Sequence, residues 1–240
     1  MGFIPDDKII AIHQPNYLPW LGYFYKIYKS DLFVFLDDGQ FIDKGMHNYT
    51  YIKTHMGSFR LKIPVQSHFG DSINMVRPRD ELGWKEQHLK TLECNYKRAK
   101  YFEEVYKDYR DLILREYNDL ATLDIELIKF FAGRLGIKAR CVNSSVLNIK
   151  EKKTPKIIEI CKVLGGTIYF SGKGAYDYQD NESYRSSGLE LIYSDYEPIE
   201  YPQLWDGVQT NVSALDFFMN CGYDWGRVLK NLNKDEYGNR

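Results

Sequence analysis

The sequence predicts an α/β fold with a mostly parallel sheet, and two observations lead to this prediction. Short β-branched runs, such as 8–12 and 32–36, alternate with segments in which apolar residues recur at helical spacing. Polar loops follow several of these runs, as they do at the ligand-binding edge of open parallel sheets. A chain of 240 residues is long enough to build a substantial core in one large domain.

The first group of elements is a strand, a polar loop, a helix and a second strand within 9–40. Apolar residues recur at helical spacing between the two strands: Trp20, Phe24, Ile27 and Tyr28. Pro19 stands where the first turn of a helix tolerates proline. If the two strands are parallel, the polar loop 13–20 lies at the carboxyl edge of the sheet, where open α/β sheets bind ligands.

The next elements are a hairpin and a helical segment. Strands are predicted at 49–54 and 59–65, with a turn at Met56–Ser58 and Pro64 ending the second strand. From 80 to 136 the spacing is helical, which predicts a helical layer or cap. The sequence therefore predicts a single domain over 1–240, with an α/β core at 1–79 and 137–232 and the helical insertion at 80–136.

After residue 136, predicted strands and helices alternate again, and the strands are expected at 138–142, 167–170 and 189–193. Thr154 and Pro155 are predicted to open a helix as N-cap and first helical residue. The pattern at 213–216 resembles a capping box, in which Asp216 caps rather than catalyses. Asp224 is predicted to cap a last helix through Leu232, and the tail after Asn233 to be frayed.

Composition excludes several classes of protein. Lys+Arg number 32 and Asp+Glu 33, so no overall positive field attracts nucleic acid or an anionic membrane. No run approaches the roughly 20 apolar residues that span a bilayer, and no secretory signal is evident. We therefore expect a cytoplasmic protein. The four cysteines form no C-x-x-C pair and are predicted to be buried, reduced thiols, and Cys221 is not expected to be a nucleophile.

Three residues are the candidates for catalysis: His13, Asp37 and Asp38. His13 follows a predicted buried strand and could act as a base, an acid or a hydrogen-bond donor, because imidazole titrates near neutrality. The alternative is a structural histidine. One of the two aspartates could orient His13, bind Mg²⁺ beside phosphates or accept a proton from an amine. Their alternative role is to form a turn. The five histidines show no metal-ligand spacing, and no metal site is predicted.

Further polar residues are candidates for binding. Gln14, Asn16, Gln40 and Asn48 offer uncharged amides to a polyol. The polar segment with Lys44, His47, Asn48 and Lys53 could neutralise a diphosphate, although the first expectation for any one of them is a solvated surface residue. Ser171-Gly172-Lys173-Gly174 has the small residues that can cradle an anion, but it lacks the spacing of a P-loop.

An ordered series of motifs resembles the WbqC-like family. Residues 12–24 read IHQPNYLPWLGYF and 35–41 read FLDDGQF. The resemblance continues through further residues: Asn48, Lys53, Trp84, His88, Tyr96, Tyr169 to Gly172, Gly174, Tyr201 to Gln203, and Ser213 to Asp216. It covers nearly the whole chain. One departure is Tyr49, which stands where the family pattern tends to have arginine. If that arginine binds an anion in the family, then either Lys44 or Lys53 replaces it here or the substrate differs.

The resemblance implies a place in the biosynthesis of O-antigen or other surface polysaccharides. A fainter likeness, a strand followed by a His/Pro loop and a helix with a late Ser-Gly-Lys turn, is similar in outline to nucleotidylyltransferases and acyl-adenylate-forming ligases. The H-x-G-H motif of the former is absent. This likeness implies a Rossmann/nucleotidyltransferase-like outline and cannot assign a reaction.

We expect an enzyme that acylates or aminoacylates the amine of a dTDP- or UDP-linked amino sugar, using an acyl or aminoacyl donor. No cofactor is predicted, although a ligase would require ATP and Mg²⁺. The protein could also form a homo-oligomer. The residues expected to bind substrate are Gln14, Asn16, Tyr17, Trp20, Gln40, Asn48, Lys53, His88, Ser171, Gly172, Lys173, Gly174 and Gln203. Two alternatives are a non-catalytic sugar-nucleotide binding or assembly protein and a glycosyltransferase. For the latter, Asp37 and Asp38 would be the metal pair, but adjacent strand residues point to opposite faces.

Overall fold

A computed structural model describes residues 7–232, and the tail after Asn233 lies outside them. The described residues form nine strands: β1 (Ile9–His13), β2 (Leu32–Phe35), β3 (Tyr49–Thr54), β4 (Gly57–Lys62), β5 (Val65–Gln66), β6 (Arg77–Pro78), β7 (Arg140–Asn143), β8 (Ile168–Ser171) and β9 (Glu190–Tyr193). They also form eight α-helices: α1 (Leu21–Tyr28), α2 (Trp84–Tyr96), α3 (Phe102–Ile113), α4 (Leu120–Arg134), α5 (Lys153–Val163), α6 (Asn181–Ser186), α7 (Ala214–Cys221) and α8 (Trp225–Leu232).

The described chain divides into two compact units. The first unit contains 7–14, 23–39 and 137–196, and the second contains 15–22, 40–136 and 197–232. The helical segment predicted at 80–136 lies in the second unit. The predicted ligand loop at 13–20 is divided, because the boundary falls between Gln14 and Pro15.

The first unit is an α/β fold with a five-stranded sheet in the order β7-β2-β1-β8-β9, and all four pairings are parallel. This result confirms the predicted fold class, including its Rossmann-like outline. The β-branched and aromatic residues of β1, β2 and β8 are buried almost throughout, as expected for central strands of a parallel sheet.

Helices cover both faces of this sheet. On one face, Ile10 and Val34 belong to an apolar cluster with Ile160 and Cys161 of α5 and with Tyr184 of α6. On the other face, α1 buries its aromatic stripe, and the Tyr23 ring lies 5.5 Å from the Phe33 ring of β2. Successive strand residues point to opposite faces, so each strand supplies both layers of the core.

The second unit contains two antiparallel hairpins, β3–β4 and β5–β6, together with α2, α3, α4, α7 and α8. Asp119 caps α4 by accepting a hydrogen bond from Thr122 N at 2.8 Å, and Ser213 caps α7 by accepting one from Leu215 N. The predicted cap Asp224 accepts from Arg227 N at 3.0 Å at the start of α8. Within 7–232, no helix is both long and apolar enough to cross a membrane.

Several boundaries differ from the predictions. His13 is the last residue of β1 rather than the residue after it. The first hairpin turns at His55–Met56, because Gly57 already pairs with Thr54. The cap position of α5 is Lys152, so Thr154 lies inside the helix and does not cap it. Cys94 is exposed on α2, so the prediction that all four cysteines are buried is wrong there, although Cys161 and Cys221 are buried.

Gly166 gives the first testable prediction, because it lies between α5 and β8 where there is no room for a side chain. A Cβ atom there would lie 2.5 Å from Cδ1 and 2.8 Å from Cγ1 of Ile10, a fully buried residue of β1. We expect Gly166→Ala to lower the free energy of unfolding by about 1–3 kcal/mol, the usual cost of overpacking. The measurement is urea unfolding followed by circular dichroism.

The matched control for this prediction is Gly133→Ala in α4. A Cβ atom at Gly133 meets nothing within 4 Å, and alanine favours a helix by about 1 kcal/mol relative to glycine. This variant should be as stable as the wild type or more stable. Equal stability of Gly166→Ala and wild type would contradict the tight contact with Ile10.

Candidate functional site

The carboxyl ends of the parallel strands bring several polar residues to one edge of the first unit. His13 ends β1, Ser171 ends β8, and Asp37 and Asp38 follow β2 after one further residue. From β1 the chain proceeds outward to β2 and β7, and it then returns to the other side of β1 to form β8 and β9. The strand order therefore reverses between β1 and β8, which is the point where open α/β sheets bind ligands.

His13 is held in one tautomer at this reversal point. Its Nδ1 lies 2.9 Å from Gln14 O, and because a carbonyl oxygen only accepts, Nδ1 carries the proton. The neutral ring then has Nε2 as its acceptor. Tyr23 of α1 packs edge-on against the imidazole at 4.8 Å and donates its own hydroxyl to Gln14 O at 3.0 Å. These contacts fix the ring plane, as a base or hydrogen-bonding group requires.

A buried lysine that no sequence pattern indicated lies beside the end of β1. Lys26 of α1 is 4% exposed, and its Nζ donates to Ile12 O at 2.7 Å. Burial lowers the pKa of Lys26 to about 7, because the protein interior disfavours the ammonium form. The helical spacing of apolar residues in α1 could not reveal that Lys26 is buried, because a lysine on an amphipathic helix usually extends its ammonium group to solvent.

Asp37 is surrounded by donors from the segment that follows β7. It is 3% exposed and accepts from Ser144 Oγ at 3.1 Å, Ser145 N at 2.9 Å, Ser145 Oγ at 2.6 Å and Asn143 Nδ2 at 3.4 Å. These bonds satisfy most of the acceptor capacity of a carboxylate. Asp37 therefore connects the segment that follows β2 to the segment that follows β7 through these hydrogen bonds.

Asp38 is the more accessible carboxylate of the pair. It forms an ion pair with Lys156 of α5 at 2.6 Å and accepts a hydrogen bond from Ser144 Oγ. Both aspartates lie beyond the end of β2 and both contact Ser144. The expectation that they point to opposite faces is therefore wrong here, because strand alternation ends with the strand. No local pattern indicates Ser144, Ser145 or Lys156, which lie more than 100 residues further along the chain.

The segment after β8 contributes the third part of this edge. Ser171 is 1% exposed and accepts from Gln179 Nε2 at 3.1 Å. Lys173 begins a 3₁₀ helix and is exposed. A Cβ atom at Gly172 or Gly174 would meet nothing within 4 Å, so packing among the described residues does not require glycine at either position.

The remaining predicted site residues lie in the second unit: Asn16, Tyr17, Trp20, Gln40, Asn48, Lys53, His88 and Gln203. Two pairs among them are brought together. Tyr17 bonds to His88, and Lys53 Nζ donates to Gln203 Oε1 at 3.5 Å. Lys53 is 1% exposed and also donates to the carbonyls of Trp205 and Gly207, so it anchors the loop that contains them.

Asp216 belongs to this same buried cluster and is not a helix cap. It accepts from Tyr96 at 2.7 Å, from Tyr201 at 2.9 Å and from Gln203 Nε2 at 2.7 Å. The predicted capping box is therefore wrong in its second half, because three side-chain donors occupy the carboxylate. Burial raises the pKa of Asp216, and these hydrogen bonds oppose that rise.

The Tyr17 hydroxyl lies in a buried chain of hydrogen bonds with a defined direction. His88 Nε2 lies 3.3 Å from Lys62 O and must donate to it, so Nδ1 accepts the Tyr17 hydroxyl proton at 2.9 Å. Tyr109 OH, 2.6 Å away, then donates to the Tyr17 oxygen. Burial lowers the pKa of His88 to about 4, which keeps the imidazole neutral as this chain requires.

No group of three or more His, Cys, Asp or Glu side chains within 7–232 is arranged to hold a metal ion. Asp37 and Asp38 follow β2, the strand that pairs with β1. Their oxygens face hydroxyl, amide and ammonium donors, which are groups that compete with a cation for a carboxylate.

Comparisons with known proteins agree over most of the chain. A sequence profile of the WbqC-like protein family matches residues 14–227. The uncharacterized protein Rv1507c of Mycobacterium tuberculosis is 32% identical over 219 residues, which cover 90% of this chain and 94% of that protein. No solved structure matches the chain significantly. The matched range contains every predicted site residue except His13, which immediately precedes it.

The buried ammonium group of Lys26 predicts a dependence of stability on pH. Its pKa is about 7 in the folded protein, against 10.5 for an ordinary lysine, so between these values the unfolded chain binds more protons. Stability therefore rises with pH across this range. Relative to Lys26→Met, the wild type should gain about 3 kcal/mol between pH 7 and pH 9.5. Urea unfolding of both proteins at the two pH values measures this difference.

Lys29, which is exposed just beyond α1, provides the matched control. Lys29→Met should differ from the wild type by nearly the same amount at both pH values. A pH-independent difference between wild type and Lys26→Met would mean that the Lys26 ammonium is not buried.

Proposed function

The chain belongs to the WbqC-like protein family, and on this premise we propose that it is an enzyme of surface-glycan biosynthesis that acylates or aminoacylates a nucleotide-linked amino sugar. The observation that supports this most is the reversal of strand order between β1 and β8. It puts His13 and Ser171 at the carboxyl ends of two adjacent parallel strands, which is where nucleotide-binding α/β sheets hold their ligand.

The nucleotide part, a UDP or dTDP moiety, binds beyond β8 in this proposal. Ser171 to Gly174 offers backbone N–H groups and the exposed Lys173 to a diphosphate. The absence of side chains at Gly172 and Gly174, where packing does not demand glycine, allows close approach of the phosphates. Asp38 and Lys156 lie on the other side of β1, beyond β2.

The proposed reaction forms an amide. The lone pair of the neutral sugar amine attacks the carbonyl carbon of an activated acyl or aminoacyl donor, such as a thioester or an acyl phosphate. The C–N bond forms, and the bond to the leaving group breaks with its electron pair remaining on that group. The proton of the resulting ammonium passes to His13 Nε2 or to an Asp38 oxygen. The tautomer that Gln14 O imposes on His13 keeps Nε2 as the acceptor for this step.

Lys156 has a supporting role that the sequence did not indicate. Its ammonium lies 2.6 Å from Asp38 Oδ2 and holds the orientation of that carboxylate. Because Asp38 is already engaged by Lys156 and Ser144, His13 is the better candidate for the proton acceptor and Asp38 for the group that orients the amine.

The test is turnover with purified protein. UDP- and dTDP-linked amino sugars are incubated with acyl thioesters or with ATP, Mg²⁺ and glycine, and mass spectrometry follows the loss of the free amine. We expect one combination to gain the mass of an acyl or aminoacyl group. His13→Ala should keep the dissociation constant for the nucleotide sugar within about threefold while the rate falls about 10²–10⁴-fold, the usual contribution of a general base.

Two lysines of α5 provide the matched pair for this test. Lys156→Ala should lower the rate, and Lys162→Ala, which removes an exposed lysine from the same helix, should leave it unchanged. Tight binding of a nucleotide sugar without turnover over the whole panel would contradict an enzyme and favour a binding or assembly protein. Transfer of the sugar itself would indicate a glycosyltransferase.

A further inference from the structure

The hydrogen-bond ladder between β1 and β8 ends before β1 itself ends. β1 pairs with β2 as far as His13, but it pairs with β8 only as far as Ala11, whose partner is Phe170. Beyond that point β8 continues to pair with β9 through Ser171. The two strands at the strand-order reversal therefore separate at Ile12, whereas each of them remains paired with its other neighbour.

The carbonyl group of Ile12 points to the side of β8. Carbonyl groups of successive residues in a central parallel strand bond alternately to its two neighbours. His13 O accepts a hydrogen bond from the segment that follows β2, and Lys8 O accepts one from Ile168 N of β8 at 3.2 Å. Ile12 lies an even number of residues from Lys8, so its carbonyl group also faces β8. Donors to one neighbour recur every second residue, so a continued ladder would use Gly172 N as the donor to Ile12 O.

Lys26 takes the place of that donor. From α1, its Nζ donates to Ile12 O at 2.7 Å, and the side chain is buried. Gly172 N has no acceptor among the described residues. Gly172 is half-buried and the two residues after it are exposed. The N–H group that the ladder leaves unused therefore lies in an accessible segment at the edge of the sheet.

Stability does not explain a lysine at this position of α1. Burial disfavours its ammonium form and lowers the pKa of Lys26 to about 7. A methionine would suit the buried side of the helix without this cost, and Ile12 O could then accept from Gly172 N in a ladder one step longer. A buried lysine with a perturbed pKa beside a ligand-binding edge indicates a functional role.

We propose that Lys26 is a positioning residue for a diphosphate bound at 171–174: by binding Ile12 O, it ends the β1–β8 ladder and keeps the Gly172 N–H group available to phosphate oxygens. This inference rests on the nucleotide site proposed above and adds the residue that opens it. Backbone N–H groups in such segments bind anions, and the crevice at a strand-order reversal is where α/β sheets hold ligands. Lys26 does not need to contact the ligand, because it acts through its hydrogen bond to Ile12.

The first experiment measures hydrogen exchange of backbone amides in the full chain without ligand, by ¹⁵N NMR. In the wild type, the Gly172 N–H should exchange at about the rate of an unstructured peptide, and the Phe170 N–H inside the ladder should be protected. Lys26→Met should slow exchange at Gly172 by about tenfold or more, because this N–H then closes onto Ile12 O. Lys29→Met, which removes an exposed lysine just beyond α1, should leave exchange at Gly172 unchanged.

The second experiment titrates UDP, inorganic pyrophosphate and uridine into the same proteins and follows the amide resonance of Gly172. UDP and pyrophosphate should shift this resonance saturably, and uridine, which contains no phosphate, should not. Lys26→Met should weaken UDP binding by about tenfold or more, roughly the value of one hydrogen bond to a charged group. Lys29→Met should bind UDP as the wild type does.

Gly172→Pro removes the same N–H group without a change at Lys26. The φ angle of Gly172 is −77°, which proline adopts, and a Cβ atom there meets nothing within 4 Å. UDP should bind Gly172→Pro about tenfold more weakly than Gly172→Ala, which keeps the N–H group. In a Lys26→Met background, the same two variants should differ by no more than about twofold, because both residues act through one N–H group.

Three results would overturn the role of Lys26. They are a protected Gly172 N–H in the wild type, unchanged exchange and UDP affinity in Lys26→Met, and an amide resonance of Gly172 that responds to neither UDP nor pyrophosphate. Lys26→Leu replaces Lys26→Met in these measurements if the methionine variant does not fold.

Failure of the proposed reaction is recognised separately. UDP binding at Gly172 that depends on Lys26, without amide formation over the substrate panel, would contradict the reaction and support the role of Lys26. Amide formation with an unresponsive Gly172 would support the reaction and overturn the role of Lys26.

Discussion

Parallel pairing of β1 on both of its sides is the constraint on which the first unit depends. Ile9 to Ala11 pair with β8, and Ile10 to His13 pair with β2. Both neighbours point in the same direction, so their carboxyl ends meet at one edge and each return requires a crossover. The helices that cover the two faces, and the polar edge with His13 and Ser171, are consequences of that pairing.

Buried carboxylates of both units are satisfied by residues distant in sequence. In the first unit, Asp37 has donors from three residues that follow or end β7, and Asp38 has Lys156 and Ser144. In the second unit, Asp216 accepts hydrogen bonds from three side chains. A satisfied buried network rigidifies its surroundings, and the network of the first unit gives the preorganised edge that the proposed reaction requires.

The sequence was informative about where polar groups follow strands and less informative about what they contact. His13, Asp38 and Ser171 were identified because each comes at or just after a β-branched or aromatic run, and the parallel sheet brings those runs together. Lys156 and Ser144 gave no local signal, because they meet Asp38 only through the pairing of β7 with β2. Asp216 was misassigned for the same reason. Its partner Tyr96 lies 120 residues earlier in the chain.

The sequence alone determined the α/β class, the hairpin at β3–β4 and the helical segment between 80 and 136, because hydrophobic periodicity and turn residues are local properties of the chain. Family membership was also readable from the loop at 13–20. Only the tertiary structure decided that this loop is divided between two units, with His13 at the sheet edge of the first and Asn16 buried in the second. It also decided which carboxylates, lysines and histidines are buried. Burial, hydrogen bonding and pKa depend on residues far apart in sequence, and no local pattern encodes them.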